Sequence, residues 1–132
     1  MNKEKSEKLI NSIFKNTYFV FKELCCKCGC NAFSGDIIFL KKLLLFRILC
    51  DFPIIPRSVY RCQNHPDYSD NHNGHAIDVP CEENNSNKRF KIIKAAIYAG
   101  FKRIGISKTY IHLDDNPKYN GTLNEEVLWI YS

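Results

Sequence analysis

The chain is expected to fold as an α+β protein with a small antiparallel sheet flanked by helices. Segments with apolar residues at helical spacing occur beside segments of alternating polarity, and their order lacks the βαβ alternation that builds a doubly wound parallel sheet. Residues 101–106 and 110–113 also flank the short polar stretch Ser107-Lys108-Thr109, which is a hairpin pattern. With 132 residues and 45% hydrophobic content, the chain suits a single domain with a real core.

Taken in order, Leu9, Ile10, Ile13 and Phe14 recur at helical spacing, which predicts a short amphipathic helix over 5–15 within an N-terminal helical extension, 1–18. Apolar Tyr18, Phe19, Val20 and Phe21 lead to a helical turn at 22–24 and then to a cysteine cluster. Ser34 and Asp36 are suitable caps for a helix running to about Cys50, apolar on most sides and therefore central, which Asp51, Pro53 and Pro56 end. Residues 54–61 read as a strand with a proline near its start, and 63–73 as a polar loop. Alternation over 75–79 predicts a strand that delivers Asp78 to one face. Ser86 can cap a helix carrying Phe90, Ile92, Ile93, Ala96 and Ile97 to a stop at Gly100, and 127–131 reads as a final strand.

The charge balance of 19 basic and 14 acidic residues is +5, but the basic residues are dispersed among acids. That is the pattern of a solvated surface and not of a phosphate-tracking stripe, so nucleic acid is not an expected partner. The most apolar run, 37–50, carries Lys41, Lys42 and Arg47 and is shorter than the roughly 20 residues that span a bilayer, so no membrane role is expected. No apolar stretch with a small-residue cleavage site follows the polar segment 1–8, so no secretory signal is expected. The chain is then cytoplasmic as synthesised, and another factor must release it if it acts outside.

Seven cysteines is an odd number, which argues for reduced thiols over a disulfide framework. Four of them crowd into Cys25-Cys26-Lys27-Cys28-Gly29-Cys30, whereas Cys50, Cys62 and Cys81 stand singly. A structural zinc site normally draws on a second, distant ligand pair, so packed or idle thiols are the preferred reading. A cysteine-cluster zinc module that binds nucleic acid is the less favoured one.

The histidines carry more chemistry. His65, His72 and His75 are followed by Asp78 and by the pair His112 and Asp114, and imidazole with carboxylate is the donor set of a catalytic zinc. On spacing alone, exposed or hydrogen-bonded histidines remain the plain alternative. Three residues apart on a regular strand, His75 and Asp78 face opposite ways, so His75 and His65 are expected beside the site or exposed, not as ligands.

The segment from Ser69 through His72, Gly74, Ala76 and Asp78 resembles the S-x-H-x-x-G-x-A-x-D signature of the zinc D-alanyl-D-alanine carboxypeptidases and L-alanyl-D-glutamate endopeptidases, whose fold is shared with the hedgehog signalling domain. Ser58-Val59-Tyr60-Arg61 resembles that family's S-G-Y-R segment, and Ile111-His112-Leu113-Asp114 its h-H-h-D strand. Trp129 falls where many relatives carry a late tryptophan, and Phe21 through Cys30 is similar to an N-terminal segment of phage-type members. The likeness runs in order from about Phe19 to Tyr131 and makes 1–132 a single peptidase-like domain of the hedgehog/DD-peptidase type.

The resemblance implies Zn2+ held by His72, Asp78 and His112, with water in the fourth position and a peptidoglycan stem peptide as substrate of a monomeric enzyme. It implies Arg61 as the residue that engages the substrate carboxylate or the oxyanion, and Ser69 as a substrate contact or else a turn former. Asp114, two residues beyond His112 and on the same strand face, is the expected general base. Some relatives keep a carboxylate three residues before the last histidine, where this chain has Thr109. The chain also departs from the signature, since Asn71 stands at the family's first ligand position and His72 one residue later. Either His72 replaces that ligand, or the site is weakened, or metal and catalysis are lost and a wall-peptide-binding module remains.

Overall fold

Residues 3–15 and 17–131 are described by a computed structural model. Helix α1 (Lys3–Phe14) turns Ser6, Ile10 and Phe14 inward, the i, i+4, i+8 stripe of an amphipathic helix. It is built into the core, where the Ser6 hydroxyl donates to the Phe33 carbonyl at 3.1 Å and Phe14 meets Phe19 edge to face. One helical turn, α2 (Phe21–Leu24), follows, its Glu23 carboxylate accepting from the Val20 N–H at 3.0 Å.

Helix α3 (Ile37–Leu49) starts at Asp36, whose side chain accepts from the Phe39 N–H at 2.7 Å. Phe39, Leu40, Leu43 and Phe46 are its buried face, and Phe101 fills the space between Phe39 and Phe46 with two T-shaped contacts. The expectation of a helix buried on most sides is corrected, because Ile37, Ile38, Leu45, Ile48 and Leu49 are exposed. Helix α4 (Ser86–Ala99) packs against α3 and ends at Gly100, which takes the left-handed conformation. Its cap is Asn85, not Ser86. The Asn85 side chain accepts from the Lys88 N–H at 3.0 Å, which leaves Ser86 in the first turn.

The sheet has four strands, β1 (Ala76–Pro80), β2 (Arg103–Ile106), β3 (Tyr110–Asp114) and β4 (Val127–Ile130), in the spatial order β1-β3-β2-β4. The β2–β3 hairpin and the strand carrying Asp78 match the sequence reading. An all-antiparallel sheet does not, because β4 runs parallel to β2. The chain leaves β3 through a long connection that includes a 3-10 turn at Pro117–Tyr119, so it can come back to the free edge of β2 in the same direction; a tight hairpin could not do this.

Residues 54–61 do not form a strand. Their ladder to β1 is a single bridge, Ser58 to Asp78, flanked by the Arg57 N–H to the Asp78 carbonyl at 2.9 Å. The N–H groups of Tyr60 and Arg61 turn instead to the carbonyls of Leu24 and His72. Pro53 and Pro56 supply no donors. The segment thus straps the edge of β1 to the neighbouring loop.

Register divides the sheet into two chemistries. Ile77, Val79, Ile104, Ile111 and Leu113 belong to the apolar core on one face. On the other, Asp78 lies opposite His112, His112 opposite Gly105 and Gly105 opposite Trp129, a row across all four strands. The adjacent row is Ala76, Asp114, Arg103 and Val127.

Candidate metal centre

Strand alternation is what puts Asp78, His112 and Asp114 on one face, and direct pairing of β1 with β3 brings Asp78 beside His112. His112 Nδ1 lies 2.8 Å from Asp78 Oδ1. His72 reaches the same carboxylate from a short 3-10 turn, Asp70–His72, with its Nε2 3.3 Å from Asp78 Oδ2. All three side chains are buried, and one donor atom from each lies within 4.8 Å of the others.

The 3-10 turn also resolves the one-residue offset. In an extended segment, moving a ligand by one position would turn it to the opposite face. Here the chain is coiled at that point, so position 72 points inward, and the Asn71 amide oxygen is engaged elsewhere, accepting from Asn116 Nδ2 at 2.9 Å. Ser69 caps the turn, its Oγ accepting from the Asn71 N–H at 3.3 Å. That is the turn-forming alternative for Ser69.

Each imidazole is oriented through its second nitrogen. His72 Nδ1 donates to the Val59 carbonyl at 2.8 Å, which turns Nε2 toward Asp78. His112 Nε2 donates to Asp114 Oδ2 at 2.7 Å while Nδ1 faces Asp78 Oδ1 at 2.8 Å, so a metal ion would take the place of a proton on Nδ1. Asp114 is itself held by Arg103 Nε at 2.8 Å and by the Asn116 N–H at 3.1 Å, and it is fully buried.

These contacts correct the assignment of Asp114 as general base. It stands at the far nitrogen of the His112 ring with its lone pairs committed, so it orients and polarises a ligand. Sharing a strand face places a side chain near its neighbour but does not say at which end of the ring it binds.

Burial alone would raise the pKa of Asp78, yet its hydrogen bonds with His112 and His72 hold it well below the ordinary carboxylate range. Burial works against a charged His112, and the hydrogen bonds to Asp114 and Asp78 overcome it and push its pKa up. The Asp78 carboxylate is thus held ionised between its imidazole and guanidinium partners.

Arg61 is placed by the strap. Its Nη2 lies 3.2 Å from Asp78 Oδ2, its Nε donates to Ser58 Oγ at 3.0 Å and its Nη1 to the Asp67 carbonyl at 3.1 Å. A guanidinium therefore borders the three donors. His65 and His75 lie outside them. His65 Nδ1 accepts from the Asp67 N–H at 2.9 Å, and His75 Nδ1 pairs with Asp115 Oδ1 at 3.1 Å. Thr109 is occupied with Arg57, its Oγ1 accepting at 3.1 Å. A cavity of about 500 Å3 lies beside the support of Asp114, lined among others by Lys42, His75, Arg103, Asp115, Asn116 and Tyr119 but by none of the three donors.

Sequence reasoning missed Arg103, Asn116 and the Val59 carbonyl. Arg103 was within reach, since closing the hairpin over 107–109 puts it opposite Asp114 and Gly105 opposite His112. Asn116 and Val59 carried no signal, because each acts on its partner through a backbone group, an N–H and a carbonyl that no residue type marks.

Donor chemistry fits a zinc ion: two imidazoles and one carboxylate, each histidine fixed through its other nitrogen. Comparison with protein-family models, with curated proteins and with solved structures finds no match to the chain. Fold and site together define an α+β protein with a small mixed sheet and a buried His-Asp-His candidate metal centre. Among the described residues, no helix is long and apolar enough to cross a membrane.

Proposed function

We propose that the protein is a zinc-dependent peptidoglycan peptidase, hydrolysing an amide bond next to a D-amino acid in a stem peptide and acting at the cell wall once released. The observation that carries this reading is the convergence of His72, Asp78 and His112 beside the guanidinium of Arg61. A zinc ion held by these three residues would supply Lewis-acid polarisation of the scissile carbonyl and a more acidic water.

The protein's own groups do the rest. With the ion bound, Val59 and Asp114 would accept from the outer nitrogen of each imidazole and leave the inner one free to ligate. Asp78 brings the charge that makes the site cationophilic. Arg61, two-fifths of whose fork is already spent on Ser58 and Asp67, has a terminal nitrogen that can exchange Asp78 for a substrate carboxylate or a developing oxyanion. Arg103 pairs with Asp114 and so fixes the carboxylate that orients His112.

Zinc content and muropeptide hydrolysis, measured on the full chain and on His112→Ala, test the reading. The parent should hold zinc at this centre and cleave stem peptides, chelation should abolish cleavage, and the variant should do neither. Absence of cleavage with the centre loaded overturns the peptidase assignment.

One observation favours a metal-free relative that binds wall peptides. Asp78 is fully satisfied by His72, His112 and Arg61, so the network closes on itself without an ion. Stem-peptide binding that survives chelation, with no zinc uptake by His72, Asp78 and His112, would select that reading.

A further inference from the structure

Three cysteines at alternate positions, Cys26, Cys28 and Cys30, meet Cys62, the residue that follows the strap, across more than thirty residues of chain. This revises the reading of idle thiols for these four, while Cys25, Cys50 and Cys81 are buried free thiols. The missing distant ligand was Cys62, invisible in the sequence because it arrives alone.

We propose that Cys26, Cys28, Cys30 and Cys62 form a second metal site, a structural four-thiolate zinc centre that clamps the loop 26–32 to the end of the strap bearing Arg61. The reading is independent of the peptidase assignment. Geometry is the first argument. Cys28 Sγ and Cys30 Sγ lie 3.6 and 3.7 Å from Cys62 Sγ, and one sulfur from each of the four lies within 4.8 Å of the others. Zinc–sulfur bonds of about 2.3 Å in a tetrahedron put neighbouring sulfurs about 3.8 Å apart, whereas a disulfide needs about 2.05 Å.

Backbone design is the second argument. The Ala32 N–H donates to Cys30 Sγ at 3.4 Å and the Cys62 N–H to Cys26 Sγ at 3.4 Å. Amide donors aimed at sulfur stabilise ligands that carry negative charge. Gly29 and Asn31 both have positive φ, at 106° and 55°, which curls the chain so that three sulfurs project to one side, and the Cys26 N–H closes the loop onto the Ala32 carbonyl at 2.7 Å.

Exposure is the third. Cys28 and Cys30 are exposed and Cys62 half-buried, an unusual place for thiols that serve only as small apolar side chains. On binding, four S–H bonds are replaced by four sulfur–zinc bonds and the protons pass to solvent. No position is left open, so the site is structural and not catalytic.

Cobalt(II) substitution of the reduced full-length chain tests this, because only a sulfur-rich site gives an intense near-ultraviolet thiolate-to-cobalt charge-transfer band. The parent should show that band and, with zinc, bind one equivalent that resists removal of the His-Asp-His ligands in the double variant His72→Ala/His112→Ala. Cys28→Ser/Cys62→Ser should lose the band and one equivalent, while Cys25→Ser keeps both. A parent with no charge-transfer band, or with four thiols titrating freely in the presence of zinc, overturns the proposal, whether or not any variant folds.

Discussion

Trp129 lies against Gly105 so closely that a Cβ on Gly105 would come 2.6 Å from Trp129 Cε2. The missing side chain lets the indole cross β2 and approach the His112 ring, at 5.6 Å between centroids. Gly105→Ala should therefore push the indole away and destabilise the fold by about 1–3 kcal/mol, as overpacking does. Trp129 is the sole tryptophan, so its emission spectrum reports the displacement directly, and an unchanged spectrum with unchanged stability would refute it.

His72 and Asn71 have been given different tasks by the 3-10 turn. His72→Ala should weaken zinc binding at the centre by more than the roughly 100-fold typical of losing an orienting partner. Asn71→His should bring no gain, because position 71 faces Asn116. Isothermal titration with zinc on a Cys28→Ser/Cys62→Ser background isolates the centre, and a large gain in Asn71→His would reverse the assignment.

Asp114 acts through His112, and its pairing with Arg103 is buried. Asp114→Asn should lower zinc affinity by about 10–100-fold through the tautomer of His112. It should also cost about 3–5 kcal/mol in urea unfolding of the metal-free chain, because Arg103 is left without its counter-charge. A variant with normal metal affinity and an acid-limb shift in its pH–rate profile would restore Asp114 as the general base.

The pair His75 and Asp115 sets a pH dependence of stability that is separate from the metal. The hydrogen bond with Asp115 pushes the His75 pKa above 6.5, so its contribution is complete below about that pH and is lost as pH rises through the folded value. Burial would raise Asp115, but hydrogen bonds from His75 and Lys42 hold it below 3.8; its contribution is present above that value and is lost as pH falls through the depressed one. Urea midpoints of the metal-free chain should decline on both sides, and His75→Gln should flatten the neutral-to-alkaline decline while leaving an acid one. An alkaline limb that persists unchanged would exclude His75 as its source.

Local pattern carried much of the architecture. Asp36 as a cap, Gly100 as a stop, the hairpin over 107–109 and Asp78 on a strand follow from short-range chemistry that tertiary contacts did not override. The strand expected over 54–61 failed because apolar residues near prolines pack without a ladder, and the cap moved to Asn85 because an amide one residue earlier reaches the same N–H. The direction of β4 was not legible, since a long connection permits either sense.

The sequence by itself determined the α+β class, the strand-borne row that holds Asp78 and His112, and the set of imidazole and carboxylate donors from which a metal centre can be built. Only the tertiary structure decided that the 3-10 turn brings His72 and not Asn71 inward, that Asp114 stands behind His112, and that Cys62 joins Cys26, Cys28 and Cys30. The physical reason is range. Periodicity and capping act over a few residues and are written in the local string, whereas ring orientation and the meeting of distant thiols depend on loop geometry and strand register between segments that contact one another only once the chain has folded.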